Sequence, residues 1–295
     1  MGGTGDHHMV PDAPEPRQTA GILSNDGARA DYRALVSYLG DLESVLVAFS
    51  GGVDSTVVAA AALEALADRA QAVLSVSVLS PSGEADEARA IAASLGLPLI
   101  ELESDPLADD AFTRNTPERC YACKASLFSR FTQVAHARGL AHVVDGENAD
   151  DSGGHRPGSR AARELGVISP LRELGLTKSR IREVAREIGL PNWDKPSMAC
   201  LASRFPYGHA IDGAGLHWVR QAERALTELG LTRLRVRAHG DLARIEIEPR
   251  SLAHAWESRD AISQAVKAAG FTWVSLDLEG YRTGAMDEVL GSSDA

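Results

Sequence analysis

The sequence predicts an α/β fold, in which a parallel sheet with helices on both faces is followed by a small α+β domain. Two observations lead to this prediction. From about residue 31, short apolar runs alternate with segments of helical character, which is typical of parallel strands joined by helices. From about residue 216, one helical segment is followed by two short alternating segments around a turn, which indicates a hairpin.

The first domain is predicted to cover residues 31–207. Its strands are expected at 45–49, 73–79, 99–102 and 142–145, and its helices at 32–39, 56–68, 84–95, 124–138 and 178–188. Thr177 is a suitable N-cap for the last of these helices, which Gly189 ends ahead of Pro191. A loop of about 20 residues follows, and loops of that length within a compact domain tend to be functional.

The second domain is predicted to cover residues 208–280. Its elements are expected to be a helix at 216–229, strands at 233–238 and 242–248, a helix at 255–269 and a strand at 272–278. Residues 1–30 contain glycine and proline without hydrophobic periodicity, so we expect a disordered tail there. Residues 281–295 are expected to form a polar tail.

The composition is that of a soluble globular protein, since 44% of the residues are apolar and 24% are charged. The net charge of -11 argues against a general attraction to nucleic acid and favours small-molecule substrates. No run approaches the roughly 18 apolar residues of a membrane helix, and the first residues lack the basic and then apolar pattern of a signal peptide. We therefore expect a cytoplasmic protein without a membrane partner.

A glycine-rich motif, Ser50-Gly51-Gly52-Val53-Asp54-Ser55, lies between the first predicted strand and the next helix. At such a junction backbone amides and the positive end of the helix converge on phosphate oxygens. The motif differs from the Walker loop because an acidic residue, Asp54, lies where that loop has lysine, which suggests Mg²⁺ bound to pyrophosphate. It resembles the motif of the PP-loop ATP pyrophosphatases, which cleave ATP between the α and β phosphates. The resemblance implies a PP-loop fold, ATP and Mg²⁺ as cofactors, and nucleotide binding by Ser50, Gly51, Gly52, Asp54 and Ser55.

Acidic residues follow the strand predicted at 142–145. In open α/β sheets the carboxyl ends of the strands face one crevice, so Asp150 and Asp151 are candidates to share Mg²⁺ with Asp54. The alternative interpretation is a solvated acidic turn.

The chain has three cysteines, Cys120, Cys123 and Cys200, and an odd number without an export signal indicates reactive or metal-binding thiols. Cys120 and Cys123 come directly before a predicted helix, beside Arg119 and Lys124. The helix dipole and these two cations are expected to lower the thiol pKa values. The alternatives are a redox disulfide and a zinc half-site, although zinc normally takes four ligands.

The third cysteine lies in the long predicted loop, within the string KPSMACLASRFPYG at residues 195–208. Lys195 and Arg204 give Cys200 the electropositive surroundings that suit a nucleophile. The string resembles the active-site segment of the LarE family of ATP-dependent sulfur transferases. The resemblance extends to residues 148–151, 156–158, 169–171 and 235–237, so it covers nearly all of the chain from residue 31 to residue 278.

The resemblance to LarE proteins implies a function. These enzymes adenylylate a carboxylate of a pyridinium biscarboxylic acid mononucleotide and then replace AMP with sulfur, a step in the synthesis of the nickel-pincer nucleotide cofactor. Cys200 lies at the position of the family's sulfur donor, and the substrate would be a small nucleotide. The resemblance also implies a homo-oligomer.

Two sources of the sulfur remain open within this family. Some members sacrifice the cysteine and keep dehydroalanine, whereas others hold a 4Fe-4S cluster on three cysteines. Thiolates suit iron-sulfur chemistry, and three ligands leave one iron free to bind an extra sulfide. We therefore favour a cluster on Cys120, Cys123 and Cys200.

Arginines alternate with apolar residues along the strand predicted at 233–238, which places Arg235 and Arg237 on one face. Such a row can bind phosphate, and the alternative is ion pairing with Glu246 and Glu248 of the facing strand. Matching arginines of LarE-like proteins bind the substrate phosphate. The resemblance thus adds four residues to the predicted binding site, Arg204, Glu223, Arg235 and Arg237.

Two other functions compete with this interpretation. A tRNA thiolase of the PP-loop superfamily would use nearly identical chemistry, but the sequence lacks aromatic residues interleaved with basic ones as in an RNA-binding module. A non-catalytic nucleotide-binding protein would keep the fold alone. An amidating enzyme similar to NAD synthetase would also release AMP and pyrophosphate but needs no cysteine.

Overall fold

The computed structural model describes residues 25–152, 156–197, 199–282, 285 and 288. The helices are α1 Asn25–Gly40, α2 Val53–Leu66, α3 Glu84–Leu95, α4 Asp110–Thr113, α5 Arg119–Ala137, α6 Pro157–Glu164, α7 Pro170–Glu173, α8 Lys178–Glu187, α9 Gly213–Glu228, α10 Leu252–Glu257 and α11 Arg259–Ala268. The strands are β1 Val45–Ala48, β2 Ala70–Ser77, β3 Leu99–Ser104, β4 His142–Val144, β5 Leu234–His239, β6 Leu242–Ile247 and β7 Trp273–Leu276. None of these helices is long and apolar enough to cross a lipid bilayer.

The larger sheet has the strand order β3-β2-β1-β4, and all of its neighbouring strands are parallel. Side chains of successive residues in a strand point to opposite faces of the sheet. Val45 and Val47 of β1 therefore pack into one core and Leu46 into another. The predicted parallel sheet is confirmed.

Helices cover both faces of this sheet, as predicted. On one face, α1, α2 and α8 bury residues such as Leu35, Val57 and Ile181 against the strands. On the other face, α5 and α6 contribute Phe128 and Ala162 to a second core. Burial of such apolar side chains stabilises the fold by about 1.5–3 kcal/mol for each large residue.

The smaller sheet has the strand order β5-β6-β7. Strands β5 and β6 form the predicted antiparallel hairpin, and β7 is parallel to β6. Helices α9 and α11 bury Val219 and Val266 against this sheet. The same core includes Leu201, Ala202 and Phe205, so the segment that carries Cys200 packs under the second unit although the prediction assigned it to the first.

Several boundaries differ from the prediction. Helix α1 already begins at Asn25, so residues 25–30 are helical, while the rest of the predicted N-terminal tail lies outside the described residues. Helix α5 begins at Arg119 instead of residue 124, so Cys120 and Cys123 lie inside it. The helix predicted at 255–269 is divided at Ser258 into α10 and α11. Most of the predicted C-terminal tail also lies outside the described residues.

Candidate active site

The glycine-rich motif forms the turn between β1 and α2. The hydroxyl groups of Ser50 and Ser55 lie 3.1 Å apart, and the Ser55 hydroxyl accepts a hydrogen bond from the Ser50 amide at 3.2 Å. Helix α2 begins at Val53, and the first amides of a helix have no partner inside it. Free amides at a helix start suit an anion, and we call residues 50–55 the phosphate-binding turn after the role predicted for them, which stays a prediction.

Two glycines allow neighbouring backbone to approach this turn. Gly51 has a φ of +70°, and a Cβ there would lie 2.8 Å from Ala88 of α3. A Cβ at Gly146 would lie 2.8 Å from the backbone nitrogen of Ser55. The loop after β4 therefore packs directly on the phosphate-binding turn, which the order of strands at the sheet edge predicts.

Asp54 lies in the first turn of α2 and is held by two residues that the sequence interpretation did not identify. Lys178, the first residue of α8, places its Nζ 2.6 Å from Asp54 Oδ2, and the Asn148 amide donates to the same oxygen at 3.0 Å. The other oxygen, Asp54 Oδ1, is buried and has no hydrogen-bond partner among the described residues. One carboxylate oxygen thus remains available for a ligand.

The other two predicted Mg²⁺ ligands are engaged elsewhere. Asp150 Oδ2 accepts a hydrogen bond from the backbone nitrogen of Lys178 at 2.8 Å, at the start of α8. Asp151 Oδ1 lies 3.2 Å from a guanidinium nitrogen of Arg156. Within the described residues, Asp54, Asp150 and Asp151 do not form a group placed to hold a metal ion.

The chemistry of the turn still fits Mg²⁺ through Asp54 alone. Mg²⁺ is commonly bound by one or two carboxylates together with the phosphates of the substrate. The unpartnered Asp54 Oδ1 supplies such a carboxylate oxygen beside the phosphate-binding turn. Lys178 would then neutralise part of the remaining negative charge of Asp54.

A cavity of about 460 Å³ opens beside the turn at the carboxyl end of the sheet. Its lining includes Ser50 of the turn, Cys123 and Lys124 of α5, and Cys200. Apolar side chains such as Phe128 form much of the remainder. The phosphate-binding turn and two of the three thiols therefore border a single space.

Cys120 and Cys123 lie in the first turns of α5, three residues apart, so they share one side of the helix. Cys120 is exposed, whereas Cys123 is half-buried and packs against the core of the second unit. Cys200 is solvent-accessible and immediately precedes a short turn of 3-10 helix, Leu201–Arg204.

The prediction of lowered thiol pKa values is wrong for two of the three cysteines. Burial raises the pKa of Cys123 to about 11, and the neighbouring Cys200 thiol adds to this rise. The protein atoms packed around the thiol also raise the pKa of Cys200 through burial, although part of the residue is exposed. Arg119 favours both thiolates, as expected, but its effect is smaller than that of burial.

The three thiols influence one another electrostatically, so they belong to one neighbourhood. Among the described residues, however, no group of three or more His, Cys, Asp or Glu side chains is placed to hold a metal ion. Cys120, Cys123 and Cys200 are thus not arranged around a single metal ion.

Two predicted site residues hold the backbone around Cys200. Arg204 is fully buried, and its Nε and Nη2 donate to the two carboxylate oxygens of Glu223, each at 2.9 Å. Its Nη1 donates to the carbonyl oxygens of Ala199 at 2.8 Å and Cys200 at 3.1 Å. Arg204 and Glu223 thus connect Cys200 to α9.

The two predicted phosphate-binding arginines differ in their partners. Arg237 donates to both oxygens of Glu246 at 2.9 and 2.7 Å and to the Ser203 carbonyl at 2.7 Å, so the cross-strand ion pair is present. Arg235 is 8% exposed, and no carboxylate of the described residues lies within ion-pair distance of it. Burial lowers the pKa of Arg235, and the nearby Arg204 adds to this effect.

Two further residues position the site, namely Asn192, which the sequence interpretation missed, and Lys195, which it placed beside Cys200 but which pairs with glutamates of α3. The Asn192 amide donates to the Gly51 carbonyl and to the Thr56 hydroxyl, each at 3.0 Å. Lys195 lies 2.9 Å from a carboxylate oxygen of Glu84 and therefore ties the same loop to α3. The sequence signal for Asn192 was its polar side chain in the stretch between Pro191 and Pro196. Nothing in the sequence shows which residues Asn192 contacts.

Comparisons with known proteins agree with this geometry. Residues 33–146 match the NAD synthase family. A pyridinium-3,5-bisthiocarboxylic acid mononucleotide synthase of Lactiplantibacillus plantarum is 38% identical over 87% of this chain and 93% of its own length. An uncharacterized protein of Synechocystis is 40% identical over 87% of this chain and 96% of its own length. A glutamine-hydrolyzing GMP synthase component of Halobacterium salinarum is 32% identical over 57% of this chain and 58% of its own length. The chain belongs to the LarE family of PP-loop proteins.

Proposed function

We propose that the protein is an ATP-dependent, AMP-forming sulfur transferase that inserts sulfur into a pyridinium biscarboxylic acid mononucleotide during synthesis of the nickel-pincer nucleotide. The observation that carries this proposal is the single cavity bordered by Ser50 and Cys200. Activation of a carboxylate and its attack by sulfur need one shared space, because the acyl adenylate must not reach water. The name of the Lactiplantibacillus relative supports the choice of substrate.

In the first step a carboxylate oxygen of the substrate attacks the α phosphorus of ATP, and pyrophosphate leaves. The turn at residues 50–55 holds the phosphates, and Asp54 Oδ1 would hold Mg²⁺, whose charge would favour departure of pyrophosphate. Lys124 also lines the cavity and adds positive charge. Preorganised positive charge of this kind stabilises the transition state of phosphoryl chemistry.

In the second step the sulfur of Cys200 forms a bond to the acyl carbon, and AMP leaves with the electron pair of the broken carbon-oxygen bond. If Cys200 is sacrificed, a base then removes its Cα proton and the Cβ–S bond breaks, which releases the thiocarboxylate and leaves dehydroalanine at residue 200. Cys200 is the proposed donor because its thiol is accessible from the cavity. The raised pKa of this thiol means that a base or a nearby cation must assist formation of the thiolate.

Arg235 is the proposed ligand for the phosphate of the mononucleotide substrate. It is a buried cation without an ion-pair partner among the described residues, and Glu223 lies nearby. Arg237 is less suited to this role because Glu246 already engages two of its nitrogens. We therefore assign Arg237 a structural role in β5, the strand that also carries Arg235.

The sulfur source has two versions that experiment can separate. If Cys200 is sacrificed, each chain turns over once and its mass falls by about 34 Da, the mass of hydrogen sulfide. If the predicted 4Fe-4S cluster is the source, anaerobically purified protein contains iron and labile sulfide. The cluster stays a prediction, and the described thiols are not arranged around a single metal ion.

The central experiment compares the wild-type protein with Cys200→Ser. With ATP, Mg²⁺ and the biscarboxylate mononucleotide, both proteins should release pyrophosphate, because the phosphate-binding turn is unchanged. The wild type alone should form thiocarboxylate, as a hydroxyl cannot donate sulfur. Normal thiocarboxylate formation by Cys200→Ser would reject Cys200 as the donor, and absence of pyrophosphate from the wild type would reject the enzyme assignment.

A further inference from the structure

A buried asparagine connects the segment before α5 to the residues that follow Cys200. Asn115 is completely buried, and its φ of +52° lies in the left-handed region that asparagine tolerates. Its Nδ2 lies within hydrogen-bond distance of the carbonyl oxygens of Phe205, Pro206 and His209, at 3.2, 2.8 and 2.9 Å. The Asn115 carbonyl in turn accepts from the Gly208 amide at 2.9 Å. We refer to residues 199–211 as the Cys200 segment, and Asn115 anchors its second half.

Arg119 extends this connection to the turn at Cys200 itself. Its Nη1 donates to Asn115 Oδ1 and, at 3.0 Å, to the carbonyl oxygen of Ala202. Its Nη2 lies 3.9 Å from the sulfur of Cys120, and its guanidinium lies 5.4 Å from the ring centre of Tyr207. One side chain therefore contacts the first turn of α5 and the Cys200 segment together.

The charge of Arg119 is unusual for its surroundings. The residue is 5% exposed, and no carboxylate in the described part of the chain forms an ion pair with it. A buried charge without a partner is costly, so such residues are generally kept where negative charge is bound or created. The acidic residue that precedes it, Glu118, pairs instead with Arg160 at 2.5 Å.

Besides Asn115, Ala202 and Tyr207, the neighbours of Arg119 include a cysteine thiol. Cys120 lies in contact, and the charge of Arg119 acts on both Cys123 and Cys200. Two other cations, Lys124 and Arg204, also act on these thiols, but Arg204 is neutralised by Glu223. Arg119 is thus a buried cation at the sulfur side of the cavity whose charge no carboxylate of the described residues balances.

We propose that Arg119, oriented by Asn115, is a positioning residue for sulfur transfer, which fixes the Cys200 segment against α5 and stabilises negative charge on the sulfur being transferred. The inference rests on the proposed function and deepens it. During this step the sulfur bonds to the acyl carbon while AMP departs with the electron pair of the carbon-oxygen bond. The preceding adenylylation should not depend on Arg119, because its contacts are with Asn115, Ala202, Cys120 and Tyr207 and not with the turn at residues 50–55.

The test separates the two half-reactions in Arg119→Gln and Arg119→Lys. Pyrophosphate and thiocarboxylate are quantified in the same reactions at saturating ATP. Arg119→Gln should lower the yield of thiocarboxylate per pyrophosphate by about tenfold or more, the effect of losing a charged hydrogen-bonding group. Arg119→Lys should recover part of this ratio, since lysine restores the positive charge but cannot contact Asn115 and Ala202 as the guanidinium does. Arg138→Gln, at the exposed C-terminal end of the same helix, is the matched control and should match the wild type.

Hydrogen exchange provides a readout that does not depend on activity. In Asn115→Asp, an isosteric change that removes the donors to three carbonyl groups, peptides covering residues 199–211 should exchange faster, and peptides of α2 should not. Arg119→Gln should have a smaller effect in the same direction.

The outcomes distinguish this inference from the proposed function. An unchanged product ratio in Arg119→Gln, or an equal loss of pyrophosphate and thiocarboxylate, would overturn the role of Arg119 while leaving the function intact. If the wild type forms neither product, the proposed function fails. In that case the hydrogen-exchange experiment by itself tests the positioning role. Unchanged exchange of residues 199–211 in both Asn115→Asp and Arg119→Gln would contradict that role.

Discussion

Arg235 and Arg237 lie two residues apart on β5, yet their neighbours give them different roles. Arg237 and Glu246 are both buried and form a bidentate pair, and Arg237 also fixes the Ser203 carbonyl. Arg235 has a backbone carbonyl and the Tyr281 ring beside it, but no carboxylate of the described residues pairs with it. A charge that is already paired stabilises the fold, whereas an unpaired buried charge is available to a ligand.

Removal of Arg237 should therefore destabilise the protein. Arg237→Ala leaves the Glu246 carboxylate buried with only Arg244 as an ion-pair partner among the described residues, so the free energy of unfolding should fall by about 3 kcal/mol. Urea denaturation measures this change. Arg250, an exposed arginine that pairs with Glu248, is the control, since Arg250→Ala should cost less than about 1 kcal/mol. Equal losses in the two variants would refute the structural role of Arg237.

At the scale of elements, the loop after α8 holds the phosphate-binding turn in place. Asn192 is 7% exposed and bonds to both Gly51 and Thr56. Asn192→Ala removes both bonds, so the amides of the turn should be less ordered. We expect the KM for ATP to rise by about tenfold, the effect of losing one or two hydrogen bonds, in an assay of pyrophosphate release.

The control for Asn192→Ala is Gln133→Ala, which removes an exposed amide from α5. This variant should have the KM of the wild type. A normal KM for ATP in Asn192→Ala would show that the turn keeps its shape without the Asn192 bonds.

Element boundaries were predictable where local signals were strong. Helix α3 covers residues 84–95 as predicted, since Gly83 and Gly96 both have a positive φ and bound it. Helix α5 starts five residues earlier than predicted, because the cysteine pair was interpreted as a motif preceding a helix when its residues are helical themselves. Hydrophobic periodicity does not report where a loop packs, so the contacts of Asn192 were not predictable.

At the scale of the whole molecule, the sequence predicted well which segments form the site. It predicted less well which partners the charged side chains have and how the thiol pKa values shift. The turn at residues 50–55 and Cys200 border one cavity, as the motif resemblance implies. The roles of Asp150 and Asp151 depend on partners that only tertiary structure reveals, namely Lys178 and Arg156. For Arg237 the sequence offered Glu246 as an alternative partner, and the structure shows that pair. The thiol pKa values likewise depend on burial, which outweighs the nearby cations.

The Cys200 segment is held from several directions at once. Arg204 and Glu223 tie it to α9, Arg237 ties it to β5, and Arg119 ties it to α5. Because this segment carries Cys200, which lines the cavity, the second unit holds part of the wall of the cavity in which ATP is expected to bind.

The most direct test of this account is protection of Cys200 by nucleotide. Peptide mass spectrometry gives the rate at which iodoacetamide alkylates each cysteine, with and without saturating Mg²⁺-ATP. Cys200 lines the cavity and Cys120 does not, so ATP should slow alkylation of Cys200 by about tenfold or more and leave Cys120 nearly unchanged. Equal alkylation of Cys200 in the presence and absence of ATP would contradict a shared site for activation and sulfur transfer.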